Sequence, residues 1–322
     1  MTSHLQDFPI DIFFGIDDNF VMQCGVTITS IGENNQNADI TIHIISNDLN
    51  SYNSKKLENI TDKYGFKYKL HVIDESVLES CPLMKGADNG KIATYFRFLI
   101  PQLEPMLDKA LYLDSDIVVR HELRELWNHD IGNVAIGVVP GADNDKIQTF
   151  NRLNYDKNKG YFNAGVLLMN LKYWRDHNVF DRLITYVRNA ENNLVGQDQD
   201  ALNYVLQDEK CYLPIKYNLQ EGMLFHRDEI EIDKKYFEDL ENAIKDPVII
   251  HYTCAFKPWW KDCRHPYKSE WWKYLYMTEW RNYKPKYRYV NQLIIRILRF
   301  FLSKIHLVRP NRSPFREDVT LL

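Results

Sequence analysis

Residues 10–16 (IDIFFGI) form an apolar run that ends in Asp17-Asp18-Asn19. This is the pattern of a buried strand that delivers polar residues at its C-terminal end. Residues 20–31 follow as a helical run. Residues 39–46 (DITIHIIS) and 67–73 (KYKLHVI) read as two further strands, and the polar stretch 51–64 between them as a helix. That alternation predicts βαβ units and a parallel sheet. Residues 91–103 have helical spacing, with Ile92, Tyr95, Phe96 and Leu99 on one side and Pro101 and Pro105 punctuating the exit. Residues 110–113 then predict a strand running into Asp114. The fold class is α/β, an open and mostly parallel Rossmann-like sheet flanked by helices. Ligands of such sheets sit outside the carboxyl ends of the strands, so Asp17-Asp18 and Asp114-Ser115-Asp116 are expected to line one crevice.

Composition narrows the picture. With 322 residues, 45% of them hydrophobic and 13% aromatic, the chain can bury one large core, with or without a small appendage. Its five cysteines show neither CxxC nor metal-ligand spacing, which fits a reducing compartment. Residues 1–11 carry neither a basic nor an apolar signal region, so the expected location is cytoplasmic. No GxGxxG or GxxxxGK[ST] follows any strand. A bound diphosphate therefore needs a metal and side chains rather than a glycine-rich loop.

In YLDSDIVV, Asp114 and Asp116 flank a small serine where a strand gives way to a loop, and both carboxylates can turn toward one hard cation such as Mn²⁺ or Mg²⁺. The same residues match DxDx[TV] of haloacid-dehalogenase phosphatases, in which Asp114 would be a phosphoryl-accepting nucleophile. That signature normally opens its domain, whereas three predicted strands precede it here. Asn163-Ala164-Gly165 offers an amide beside small residues, or a plain turn entering the strand 166–169. Gln197-Asp198-Gln199-Asp200 opens a helix running to Leu206, either facing a site or simply capped by Asp198. His251 ends the apolar run 247–250 and is a candidate third metal ligand. Lys257 offers an ammonium for charge building on a departing diphosphate.

In order, Gly15-Ile16-Asp17-Asp18-Asn19, Tyr95-Phe96-Arg97, Leu113-Asp114-Ser115-Asp116, Tyr161-Phe162-Asn163-Ala164-Gly165, Gln197-Asp198-Gln199-Asp200 and His251-Tyr252 through Lys257-Pro258-Trp259 resemble family 8 retaining glycosyltransferases. The family includes bacterial lipopolysaccharide galactosyl- and glucosyltransferases. The resemblance covers residues 10–265. It implies a GT-A fold, a UDP-glucose or UDP-galactose donor, a saccharide or lipid-linked oligosaccharide acceptor, and retention at the anomeric carbon. It further implies Mn²⁺ held by Asp114, Asp116 and His251. Gly15, Ile16, Asp17 and Asn19 would lie at uridine, Arg97, Ser115 and Ala164 along the donor, and Asn163 and Asp198 at sugar hydroxyls. Gln199 would sit beneath the anomeric carbon and Lys257 at the diphosphate, with Gln199, Asp198 and Lys257 as the catalytic set. Cys254-Ala255 replaces the glycine the family usually carries near the diphosphate. The acceptor region, residues 139–156, contains Asp143, Asn144 and Asp145 but no transferable motif.

Charge divides the chain. Residues 281–322 hold ten Lys/Arg against two acids, while residues 1–280 hold 30 against 42. The expected domains are a transferase unit, 1–265, and a basic, aromatic α-helical tail, 266–322. In residues 290–308, Gln292, Arg296, Arg299, Ser303 and His306 recur on one helical face opposite an apolar one. That pattern predicts a helix lying in an anionic membrane interface at the inner face of the cytoplasmic membrane, or packing on the body. The acidic body and the absence of any nucleic-acid motif exclude nucleic acid as partner.

Overall fold

A computed structural model describes residues 9–78, 81, 92–143, 146–190, 194–226, 230–253, 255–288 and 315–316. Strands β1 (Ile10–Gly15) and β2 (Ile40–Ser46) are buried along nearly their whole length. Covering both faces of the sheet explains why these strands are unbroken apolar runs rather than alternating ones. β3 (Lys67–Val72) is partly exposed and carries Lys67 and Lys69, charges suited to an edge strand. β4 (Lys109–Leu113), β6 (Ile136–Pro140), β7 (Phe162–Asn170) and β8 (Lys210–Tyr212) complete a seven-stranded sheet of order β3-β2-β1-β4-β7-β6-β8. Pairing is parallel from β3 through β4 and between β6 and β8, and antiparallel on both sides of β7. Because β7 runs backwards, its first residues rather than its last reach the end where β1 and β4 finish.

A second sheet, of order β5-β10-β9, joins β5 (Ile117–Val119), β9 (Leu219–Gln220) and β10 (Ile249–His251). The whole link from β4 of the large sheet to β5 of the small one is Asp114-Ser115-Asp116. Successive residues of β1 feed opposite faces. Ile12 and Phe14 join one buried cluster with Ile42 and Ile44, and Phe13 joins another with Ile45 and Tyr112.

The expected helix at 91–103 is different in form. Ile92–Leu99 winds as a 3₁₀ helix and only Ile100–Leu103 is α-helical, while Lys91 lies outside the described residues. Pro101 has no N–H to give to the Arg97 carbonyl, so one continuous α-helical ladder cannot form across this segment.

Beyond Pro266, the helix Lys268–Leu275 buries Trp271, Tyr274 and Leu275 in the same cluster as Ile12. Tyr274 Oη accepts a hydrogen bond from Asn34 Nδ2 at 2.8 Å, tying this helix to the one at Val21–Asn34. Phe315 bridges to Phe225, and Arg316 makes a two-pronged contact with Glu241 at 2.6 and 2.8 Å. The amphipathic stretch 290–308 lies outside the described residues. Among those described, no helix is long and apolar enough to cross a membrane.

Candidate active site

The backbone N–H of Asp114 donates to the Gly165 carbonyl at 2.8 Å, holding the end of β4 against β7. Thr27 Oγ1 lies 3.0 and 2.8 Å from the carbonyls of Ser115 and Ile117, pinning the inter-sheet link from the other side. Asp114 Oδ1 accepts from Arg97 Nη2 at 2.9 Å and from the Tyr112 hydroxyl at 3.0 Å. Asp116 sits between Lys257 Nζ, 2.7 Å from its Oδ2, and His251 Nε2, 3.1 Å from its Oδ1. Burial alone would raise the Asp116 carboxyl, but the adjacent Lys257 ammonium and His251 prevail and hold it well below the usual carboxylate range.

His251 is the last residue of β10 and pairs with Ile117, so strand pairing carries its imidazole to the acidic link. Its Nε2 lies 3.7 Å from Asp114 Oδ2, and its Nδ1 lies 2.9 Å from Asn218 Oδ1. Donation of Nδ1–H to Asn218 leaves Nε2 as the nitrogen that faces the carboxylates and that a cation would take. One donor atom each from Asp114, Asp116 and His251 then lies within 4.8 Å of the others. Three convergent acceptors, two of them carboxylate oxygens, fit a divalent cation such as Mn²⁺ or Mg²⁺. Gly165 makes this closeness possible, since a Cβ there would stand 2.1 Å from His251 Cε1 and 2.7 Å from Asp114 Oδ2.

Arg97, buried in the 3₁₀ segment, stacks over the Tyr112 ring at 4.2 Å and also donates through Nη1 to the Ala164 carbonyl. Its Nε lies 3.1 Å from Asp198 Oδ2, but the Nε–H is directed to the Thr94 carbonyl. The contact with Asp198 is therefore an ion pair without hydrogen-bond alignment. Thr94 Oγ1 donates to Asp198 Oδ1, leaving the buried Oδ2 without a hydrogen-bond donor among the described residues. Burial pushes the Asp198 carboxyl up to about 6 against the opposing pull of Arg97 and Thr94.

Helix Asp198–Val205 starts after Gln197, whose backbone has φ 49°. Asp198 is not its cap; Asp200 Oδ2 instead accepts the Gly196 N–H at 2.6 Å. Gln199 Oε1 accepts from Asn163 Nδ2 at 3.1 Å and from Ala164 N at 3.0 Å, while its Nε2 donates to the Tyr161 hydroxyl at 3.2 Å. Tyr161 in turn donates to Asp200, which Arg152 grips with two nitrogens. Asn163 and Ala164 are already inside β7 rather than in a turn before it. Asn163 Oδ1 accepts from Gly165 N and Asn218 Nδ2, so one amide chain runs from His251 through Asn218 and Asn163 to Gln199.

The uridine candidates occupy the end of β1. Gly15 closes the strand, Ile16 N donates to the Ile45 carbonyl, and Asp17 caps the turn at Asp18–Phe20 by accepting from Asn19 N. Asn19 is exposed, and the Asp18 carboxylate accepts from Asn50 and Asn53. Asn144, Asp145 and Cys254 lie outside the described residues. Sequence reasoning missed Asn218, Thr27, Thr94, Tyr112 and Arg152, single polar residues within ordinary-looking segments. Asp200 was in view only as part of a helix start.

An open α/β sheet with an acidic link at its strand ends defines the GT-A architecture. The described fold superposes on that of galactosyltransferase LgtC in complex with donor and acceptor sugar analogs, with a TM-score of 0.77 and 26% identity, covering 85% of this chain and 100% of that one. The sequence profile of glycosyl transferase family 8 matches residues 11–263, and the chain belongs to that family. It is accordingly a glycosyltransferase, and the phosphatase alternative falls. Lipopolysaccharide 1,2-glucosyltransferase of Escherichia coli is 30% identical over 278 residues, 84% of this chain and 79% of that protein. General stress protein A of Bacillus subtilis (strain 168) is 28% identical over 277 residues, 82% of this chain and 92% of that protein.

Proposed function

We propose that this protein moves a hexose, glucose or galactose, from a UDP-sugar to a saccharide acceptor of a cell-surface glycan, lipopolysaccharide or a related polymer, with retention at the anomeric carbon. The convergence of Asp114, Asp116 and His251 beside Lys257 carries the reading, together with membership of the family and relatives named as lipopolysaccharide glucosyltransferases. Bound by those three residues, Mn²⁺ would supply Lewis-acid stabilisation to the departing diphosphate. Lys257 adds a fixed ammonium at the same place, and Arg97 holds the Asp114 carboxylate in orientation through its Nη2 contact. Gly15, Ile16, Asp17 and Asn19 border the nucleotide end.

Asp198 Oδ2 and Asn163 are the polar groups assigned to the sugar hydroxyls. A carboxylate nucleophile would be needed for double displacement, but Gln199 is an amide whose oxygen is already held by two donors. The reading is therefore front-face attack. The acceptor hydroxyl oxygen bonds to the anomeric carbon as the bond to UDP breaks, and the hydroxyl proton passes to the leaving diphosphate. Gln199 and Asp198 steady the positive charge that builds on the ring while those bonds change.

The test is UDP release from UDP-glucose and UDP-galactose with Mn²⁺, with and without chelator, in the wild-type protein and in Asp116→Asn. Chelator-sensitive release that falls at least 100-fold in the variant supports the proposal; chelator-resistant release, or an unaffected variant, overturns it. Residues 281–322, with their excess of basic side chains, are assigned to an anionic membrane surface, contributing about 1 kcal/mol per cation. Replacing Arg296, Arg299 and Lys304 by Gln is expected to abolish binding to phosphatidylserine vesicles while sparing UDP release. Undiminished vesicle binding would remove the membrane assignment.

A further inference from the structure

A second set of metal-ligating side chains lies on the large sheet away from the acidic link. His43 of β2 is fully buried, with its ring stacked on Phe13 at a centroid distance of 4.0 Å. Its Nε2 lies 2.9 Å from Asp11 Oδ1 of β1, and its Nδ1 lies 3.0 Å from His71 Nε2 of β3. Glu104, which ends the helix Ile100–Leu103, brings Oε1 to 3.6 Å from His43 Nδ1 and 3.7 Å from His71 Nε2. His43 pairs in register with Phe13, four residues before Asp17, so this cluster stands roughly 13 Å along the strand from the crevice.

A carboxylate acceptor on Nε2 puts the His43 proton there and leaves the Nδ1 lone pair pointing at His71 and Glu104. The two contacts of Glu104 are too long for hydrogen bonds. Three donor atoms thus face one point at separations of 3.0, 3.6 and 3.7 Å. A tetrahedral ion about 2.1 Å from each ligand sets its ligands about 3.4 Å apart. The carboxylate on the far nitrogen of a ligating imidazole is the arrangement that orients histidines in zinc sites. Lys69 Nζ, 2.9 Å from Glu104 Oε1, supplies a cation in the metal-free protein, and its half-exposed side chain is free to swing out.

We propose that His43, His71 and Glu104 form a binding site for a zinc-class divalent cation, with Asp11 orienting His43. Two imidazoles and one carboxylate favour Zn²⁺ over the harder Mn²⁺. The ion would clip β2 and β3 to the segment that carries Thr94 and Arg97, which makes the site structural.

The experiment uses the full-length chain carrying Asp114→Asn and Asp116→Asn, so that the crevice does not contribute. Zn²⁺ is titrated in competition with a chromophoric chelator, and Co²⁺ binding is followed by visible absorption. One equivalent of zinc and intense tetrahedral cobalt bands are expected. Both should be lost on adding His71→Ala, with affinity falling at least 100-fold. Glu104→Gln, a milder change at a partly exposed side chain, is expected to weaken zinc at least tenfold and to cancel zinc-dependent thermal stabilisation. No zinc bound in the parent, or binding unmoved by Glu104→Gln in folded protein, overturns the site.

Discussion

Gly165→Ala isolates the role of closeness in the acidic crevice. The new methyl carbon would stand 2.1 Å from His251 Cε1, 2.8 Å from His251 Nδ1 and 2.7 Å from Asp114 Oδ2. Carbon atoms rest about 3.5 Å apart, so His251 must retreat by about 1.4 Å. That retreat strains its bond to Asn218 and opens the cluster it shares with Asp114 and Asp116. Overpacking of this kind costs about 1–3 kcal/mol, within the 5–15 kcal/mol stability typical of folded proteins, so the variant should still fold. A misplacement of about 1 Å at a reacting site costs on the order of 10²-fold in rate. The expected result is kcat/KM for UDP release lowered about 100-fold and a higher Mn²⁺ requirement, with an unchanged circular dichroism spectrum. A folded Gly165→Ala protein with wild-type activity and wild-type Mn²⁺ dependence would refute the reasoning.

Four other outcomes follow. Since the Asp198 carboxyl is pushed up to about 6, transfer that needs its carboxylate should fall as pH drops through about 6, and Asp198→Asn should be slow and flat across that range in a pH–rate profile. Stability takes the opposite sign: the folded pKa lies above the unfolded value of about 3.9, so this contribution is fully present below 3.9 and lost as pH rises through 6, a trend Asp198→Asn should flatten in urea titrations. Asn218→Ala removes the partner of His251 Nδ1 and should weaken Mn²⁺ about 10–100-fold in a metal titration, whereas unchanged affinity would show that the histidine orients itself. Trp271→Ala should cost about 3–5 kcal/mol in urea denaturation, because that ring lies in the core shared with β1; a negligible loss would separate this helix from the body.

The parallel half of the fold was legible because β1 and β2 are buried on both faces and therefore carry unbroken apolar runs. The acidic strand ends were legible for the same reason: Asp114 and Asp17 interrupt such runs abruptly. Strand direction was not, since residues 162–170 read the same whether β7 runs with β4 or against it. Nor was the second sheet, whose strands of two or three residues are too short to show a period. The strand-end pattern alone did not separate Asp18 from Asp17; the partners of Asp18, Asn50 and Asn53, lie some 30 residues on. Asn218 gave no local signal, because its importance comes from touching His251 and Asn163, which are 33 and 55 residues away.

The Asp114-Ser115-Asp116 link belongs to neither sheet, and that has a mechanical consequence. Asp114 moves with β4 and Asp116 with β5, while His251 follows β5 through strand pairing. A cation shared by the three would act as a rivet across the seam, and its affinity would gauge the gap between the sheets. On the proposed function, any motion that widened the seam by a fraction of an ångström would loosen the ion and the diphosphate together, and release of the spent nucleotide would need no separate latch.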